Sequence, residues 1–220
     1  MERKTGFAED EFYHIYNRGT EGRNIFLDEH DRKRFITLLF AANTNKPILY
    51  RDLKNIPFPE IERDKTLVDI GAWVLMPNHF HLLIYEKEES GISRFMLKIL
   101  TSYSMYFNTK YERKGRLFQG PFQSKHVDDD AYLEYLFAYI HLNPIKLIDP
   151  EWKKKGVKDL AKSGIFLEEY VHSSYLEYSG INREESLILN KDPFPDYFSK
   201  TKEFKSFVGD WLKYKSDFDF

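Results

Sequence analysis

Residues 68 to 85 carry two runs rich in β-branched and aromatic side chains on either side of Pro77-Asn78. That dipeptide favours a turn, so the pattern predicts two strands joined by a tight reversal. An earlier run, Phe12 to Arg18, ends at Gly19 and predicts a first strand. Period-two alternation puts Phe12, His14, Tyr16 and Arg18 on one of its faces and Tyr13, Ile15 and Asn17 on the other. Between these runs the period changes. Phe35, Leu38, Leu39 and Ala42 follow Asp28 at helical spacing and predict a helix over about 29 to 42 with an aspartate N-cap. Ile92, Phe95, Met96, Ile99, Leu100, Tyr103 and Phe107 predict a second amphipathic helix, broken at Gly115. Residues 116 to 127 read as extended, interrupted at Gly120-Pro121. Asp128 to Asp130 stand just ahead of a further helix, where capping and the helix dipole account for them more simply than a metal does.

That last helix runs from about 130 to 143 and stops at Pro144, with Leu133, Leu136, Phe137 and Ile140 on its buried side. The order is strand, helix, strand, strand, helix, strand, helix. It predicts an α+β fold: a ferredoxin-like antiparallel sheet with helices, followed by a C-terminal helical extension. Pro57 and Pro59 amid charges mark residues 51 to 66 as an exposed insertion. Beyond residue 150 come a lysine-rich stretch, a tyrosine-rich stretch and an amphipathic helix near Phe204, Phe207, Val208, Trp211 and Leu212.

Composition narrows the class. Hydrophobic content is 42% and aromatic content 17%, which suits a globular chain of 220 residues with a substantial core. A net charge of −2 argues against a general polycationic binder of duplex DNA. With no cysteine, disulfides and thiolate metal sites are excluded, leaving imidazole and oxygen donors. The start has no apolar signal-peptide core, and no run approaches a membrane span. The expectation is a cytoplasmic protein without a membrane partner.

Candidate chemistry lies in two places. His79 and His81 share one strand face, roughly 7 Å apart at Cα, while Phe80 points to the other. Such a pair is half of a metal site, or two hydrogen-bonded histidines on a half-exposed strand. On the helix, Tyr132, Tyr135, Tyr139 and Asn143 form a stripe in which Tyr139 and Asn143 are four apart and stack. Alone, that is a core-flanking stripe with an asparagine cap. Set opposite the histidines, Asn143 becomes a third ligand for a divalent cation with positions open to phosphate, and Tyr139 a nucleophile. Tyr135 is the rival, but Asn143 lies eight residues from it.

The blocks Leu75-Met76-Pro77-Asn78-His79-Phe80-His81-Leu82-Leu83 and Tyr139-Ile140-His141-Leu142-Asn143-Pro144 resemble the signature blocks of the IS200-like single-tyrosine transposases. They are most similar to the REP-associated branch. Tyr13 to Gly19, Leu117 to Gly120 with Phe122 to Lys125, and Ser173-Ser174-Tyr175 fit the same pattern. The resemblance spans about residues 10 to 180. It implies a catalytic domain over 1 to 180 with the HUH nuclease fold, and an extension over 181 to 220. It also implies a metal-dependent endonuclease and strand transferase acting on single-stranded DNA near hairpins through a 5′-phosphotyrosine. Tyr139 would be the nucleophile and His79, His81 and Asn143 would hold Mg²⁺ or Mn²⁺.

For DNA contact, residues 98 to 126 hold Lys98, Lys110, Arg113, Lys114, Arg116 and Lys125 against Glu112, 6 − 1 = +5. Phe118 and Phe122 interleave with them, as base stacking on an unpaired strand would need. Arg18, Lys98, Arg116, Gln119, Phe122 and Lys125 are therefore the expected DNA-binding residues. His14 is expected to be hydrogen-bonded in the sheet, with support of a metal ligand as the other option. A catalytically silent relative that binds structured DNA or RNA remains the alternative, as does a metallohydrolase that activates water. Relatives that exchange tyrosine helices leave a homodimer open beside a single chain.

Overall fold

The computed structural model describes residues 6–47, 53, 56–195 and 200–213. Strands β1 (Phe12–Arg18), β2 (Val68–Met76), β3 (His79–Glu86) and β4 (Gln123–Val127) form one sheet in the order β2-β3-β1-β4. Each neighbouring pair is antiparallel. Helix α1 (Glu29–Ala41) joins β1 to β2, and α2 (Gly91–Lys110) joins β3 to β4. This is the ferredoxin-like arrangement that the order of elements predicts. Asp28 caps α1 in a reciprocal box with Asp31. Asp129 caps α3 (Asp130–Leu142) by accepting from the Tyr132 N–H at 2.7 Å, so the aspartate run starts a helix.

Strand alternation divides the core. Ile15, Trp73, Leu75, Phe80 and Leu82 face α1 and α2, where Phe35, Phe95 and Tyr103 are fully buried. The opposite face presents Val74 and Leu83 to α3, on which α7 (Thr201–Lys213) packs. Between α3 and α7 lie a 3-10 turn (Asn143–Leu147) and the short helices α4 (Trp152–Lys155), α5 (Leu160–Glu169) and α6 (Tyr175–Tyr178). Helix α3 is buried without interruption from Tyr135 to Leu142, more than the one-sided burial its periodicity predicts. A helix apolar all round needs cover all round. Phe204 of α7 supplies it, packing edge-on to Phe137 at 5.8 Å.

Strand β2 is an edge strand, yet all nine of its residues are buried. Its free edge is covered by residues 172–174, where the Leu75 N–H donates to the His172 carbonyl and the Ser174 N–H to the Trp73 carbonyl, both at 2.9 Å. On the same strand, Gly71 sits at a register shift, and a Cβ there would collide with the Phe194 ring. The insertion is less exposed than its composition predicts. Ile61 is buried, and the Phe58 ring packs 4.6 Å from that of Phe40. Residues 51, 52, 54 and 55 of that stretch lie outside the described residues. None of the described helices is long and apolar enough to cross a membrane.

Candidate active site

The sheet face turned toward α3 carries an unusual set of aromatic and imidazole rings. In the β1–β3 register, Arg18 lies opposite His79, Tyr16 opposite His81 and His14 opposite Leu83. Strand geometry therefore places His14, Tyr16, Arg18, His79 and His81 on one side, as the period-two reading predicts. The rings of His79 and His81 are 5.0 Å apart.

Each histidine of the pair has one ring nitrogen engaged. Asn78 donates its amide N–H to the Gly22 carbonyl at 3.0 Å, which fixes the amide so that its oxygen faces His79. His79 Nδ1, 2.6 Å from that oxygen, must be the donor, and Nε2 keeps the lone pair. His81 Nδ1 lies 2.8 Å from His14 Nε2 in a buried imidazole–imidazole hydrogen bond. His81 Nε2 is then the atom left facing α3. Burial holds both rings of the pair below the ordinary histidine range, His79 at about 4, helped by Lys146 and Arg18. Burial, then Lys125, drops His14 to about 3. All three imidazoles are neutral at physiological pH.

Helix α3 delivers the other half. Tyr132, Tyr135 and Tyr139 stack along it, with 6.4 and 6.0 Å between successive rings. The Tyr139 hydroxyl lies 3.5 Å from His81 Nε2. Burial raises its pKa, against an opposing influence of Asn143. Asn143 is completely buried, and among the described residues neither atom of its amide has a hydrogen-bond partner, although it is near enough to influence both His79 and Tyr139. An orphaned buried amide is costly, and a cation ligated through its oxygen would relieve it. Two imidazole Nε2 lone pairs and one amide oxygen suit a divalent ion. Among the described residues no three His, Cys, Asp or Glu side chains gather into a metal cluster, because the third donor here is an amide.

His141, on the far side of α3, is structural. It is fully buried and must donate from Nδ1 to the Phe137 carbonyl at 2.8 Å, so Nε2 accepts from the Ser174 hydroxyl. Ser174 accepts in turn from the Trp73 N–H at 3.0 Å. This chain of bonds fastens the tyrosine helix to β2.

The cleft over the site is about 650 Å³ and is lined by Arg18, Gln119, Gln123, Lys146 and the His and Tyr side chains, with no carboxylate. Gln119 reaches it because its N–H donates to the Arg18 carbonyl at 2.9 Å. Lys125, opposite His14 on β4, lies on the same face with its ammonium 4.2 Å from the Tyr132 ring centre. Arg116 is exposed ahead of this segment. Lys98, Phe118 and Phe122 do not line this cleft. Lys98 is on α2, across the sheet, where it donates to the Thr44 and Lys46 carbonyls behind α1. Phe118 is core, edge-on to Phe80 at 6.2 Å. Phe122 is partly buried and stacks on Phe7 at 6.2 Å. Lys146 was not expected. Pro144 ends the α-helix, and in the 3-10 turn that follows, side chains three apart eclipse, so Lys146 stands in line with Asn143.

The family model described as "Transposase IS200 like" matches residues 13–143, more than half of the chain. No curated protein sequence matches. Among solved structures, the chain is similar to a REP-associated tyrosine transposase bound to a REP hairpin, with a TM-score of 0.53 and 15% identity over 84% of this chain and 90% of that one. At that identity the likeness shows the fold. With the family match spanning β1 to Asn143, and the paired histidines, tyrosine and asparagine all inside it, the chain belongs to the IS200-like transposase family.

Proposed function

We propose that this transposase is a divalent-metal-dependent endonuclease and strand transferase for single-stranded DNA beside a hairpin. Tyr139 is its nucleophile, and His79, His81 and Asn143 are its metal ligands. The observation that carries this reading is the 3.5 Å approach of the Tyr139 hydroxyl to His81 Nε2 within one chain. The orphaned Asn143 amide supports the ligand set, and the hairpin follows from the solved relative. When bound, the ion would polarise the scissile phosphate and stabilise charge growing on it. Imidazole donors suit Mn²⁺ and the amide oxygen suits Mg²⁺, so both are candidates. All three donors are neutral, which leaves the ion's charge to attract phosphate oxygens.

In the reaction the phenol oxygen of Tyr139 attacks phosphorus and the bond to the 3′ oxygen breaks. The phenol proton ends on the departing 3′-hydroxyl, and the 5′ phosphate stays on the tyrosine. Reversal by another 3′-hydroxyl rejoins strands without an external energy source. Arg18, Gln119 and Lys125 would contact the incoming strand, with Arg116 beyond them. Lys98 and Phe122 are otherwise engaged.

The test is incubation with hairpin-bearing single-stranded oligonucleotides and Mn²⁺. A covalent protein–DNA adduct should form, survive denaturing electrophoresis and disappear in Tyr139→Phe but not in Tyr135→Phe. Tight binding without an adduct would support a silent binder instead. Cleavage that persists in Tyr139→Phe would point to activated water.

A further inference from the structure

The cation at the foot of the cleft has a use that follows from its position. Lys146 comes from the 3-10 turn after α3, its ammonium 5.8 Å from the centre of the Tyr139 ring. It is half-buried and lines the cleft with Arg18, His79, His81 and Tyr139. Among the described residues its ammonium has no carboxylate and no hydrogen-bond acceptor, and Arg18 adds positive charge beside it. Other partly buried lysines of this chain do have partners: Lys87 reaches Asp69 at 3.0 Å, and Lys110 reaches Asp31 at 2.8 Å. A lysine withdrawn from water with nothing to neutralise it raises the energy of the empty cleft. An anion placed between it and the histidines removes that cost.

We propose that Lys146 is a catalytic residue that binds a non-bridging oxygen of the scissile phosphate, on the side of the phosphorus away from the His79–His81–Asn143 ligands. The assignment rests on the reading of Tyr139 as nucleophile. The phosphate attacked by that phenol must sit within reach of both the tyrosine and the histidine pair, which is the space Lys146 lines. The eclipsed spacing from Asn143 fixes the geometry: one short turn supplies an amide toward the histidines and an ammonium toward the same cleft. As charge builds on the phosphoryl oxygens, a fixed ammonium in a partly dry site lowers the barrier without reorganisation.

The experiment measures single-turnover adduct formation with Mn²⁺ on two hairpin-bearing oligonucleotides. One carries the natural scissile phosphate, and the other a methylphosphonate there, each diastereomer tested separately. Lys146→Met should slow the adduct about 100-fold on phosphate. On the methylphosphonate whose methyl replaces the contacted oxygen, it should slow it less than about threefold, because the charge it would have met is gone. Lys146→Arg should retain most of the rate. A second measurement needs neither metal nor turnover. In EDTA, Tyr139→Phe protein should bind the phosphate oligonucleotide more tightly than that methylphosphonate, and adding Lys146→Met should erase the difference. Equal losses on all substrates, or no loss, would overturn the assignment while leaving Tyr139 in place. No adduct with unmodified protein would overturn both readings. Should Lys146→Met unfold, Lys146→Gln replaces it in the same comparison.

Discussion

Removing the imidazole of His14 should weaken metal binding through His81. His14 Nε2 sits 2.8 Å from His81 Nδ1, and both side chains are only 6% exposed. For His81 to offer Nε2 to an ion, its Nδ1 must carry the proton and donate to His14. With an ion on Nε2, the bond holds that tautomer as well as the ring orientation. Without it the proton can move to Nε2, where the Tyr139 hydroxyl 3.5 Å away is the nearest acceptor, and the lone pair needed by the ion is lost. Partners of metal-bound histidines typically change affinity by about 10- to 100-fold. An unsatisfied buried donor adds about 1–3 kcal/mol of lost stability. Mn²⁺ affinity of His14→Ala should thus fall by about one to two orders of magnitude, read by electron paramagnetic resonance titration. Nitrogen-15 NMR of the metal-free protein should show His81 shifting away from the Nδ1–H tautomer. His14→Gln, whose carboxamide oxygen can accept in the same place, should recover most of the affinity. If His14→Ala binds Mn²⁺ as tightly as the unmodified protein and keeps the tautomer, His14 does not position His81.

Two further outcomes concern the scaffold. Gly91 opens α2 against the Leu67 carbonyl, where a Cβ would collide with backbone, so Gly91→Ala should lose about 1–3 kcal/mol in urea denaturation despite alanine's better helix propensity. Asp28, hydrogen-bonded by Lys110 at 2.7 Å, has its pKa lowered from 3.8 to about 2. Asp31 is lowered too: burial pushes it up, but bonds from Lys110 and the Leu27 N–H outweigh that. Depressed carboxylates stabilise the fold above their unfolded pKa. Melting temperature should therefore fall as pH drops from about 4 toward about 2, and Lys110→Met should flatten that dependence.

The parts of the site legible in sequence are those governed by a single local period. His79 and His81 follow from alternation along a strand, and Tyr139 and Asn143 from the helical repeat. The coarse order of elements also reveals the sheet, because hairpin and helical patterns differ so clearly. Lys146 was hidden because Pro144 changes the repeat from 3.6 to three just where the helix ends. The basic run from Lys98 to Lys125 does not stay together because nearness in sequence is not nearness in space. α2 carries Lys98 to the far side of the sheet, and the extended segment after it turns Phe118 inward. The covering of β2 by residues 172–174 comes from a pairing about a hundred residues away in sequence, which no local pattern encodes.

The grip of α7 on the tyrosine helix bears on how two copies could share chemistry. Phe204, Val208 and Leu212 are buried in the cluster that contains α3. Baring side chains of this kind costs about 1.5–3 kcal/mol each. A protomer that lent α3 to a neighbour would have to send α7 along as luggage or leave an oily scar behind. Cysteines placed at Tyr135 and Trp211, whose rings are 5.5 Å apart in a chain with no other thiol, and bridged by a short bismaleimide, would report the arrangement. A bridge closing within one chain and sparing adduct formation would mean that the nucleophile works at home; loss of the adduct on closure would mean that the two helices must part.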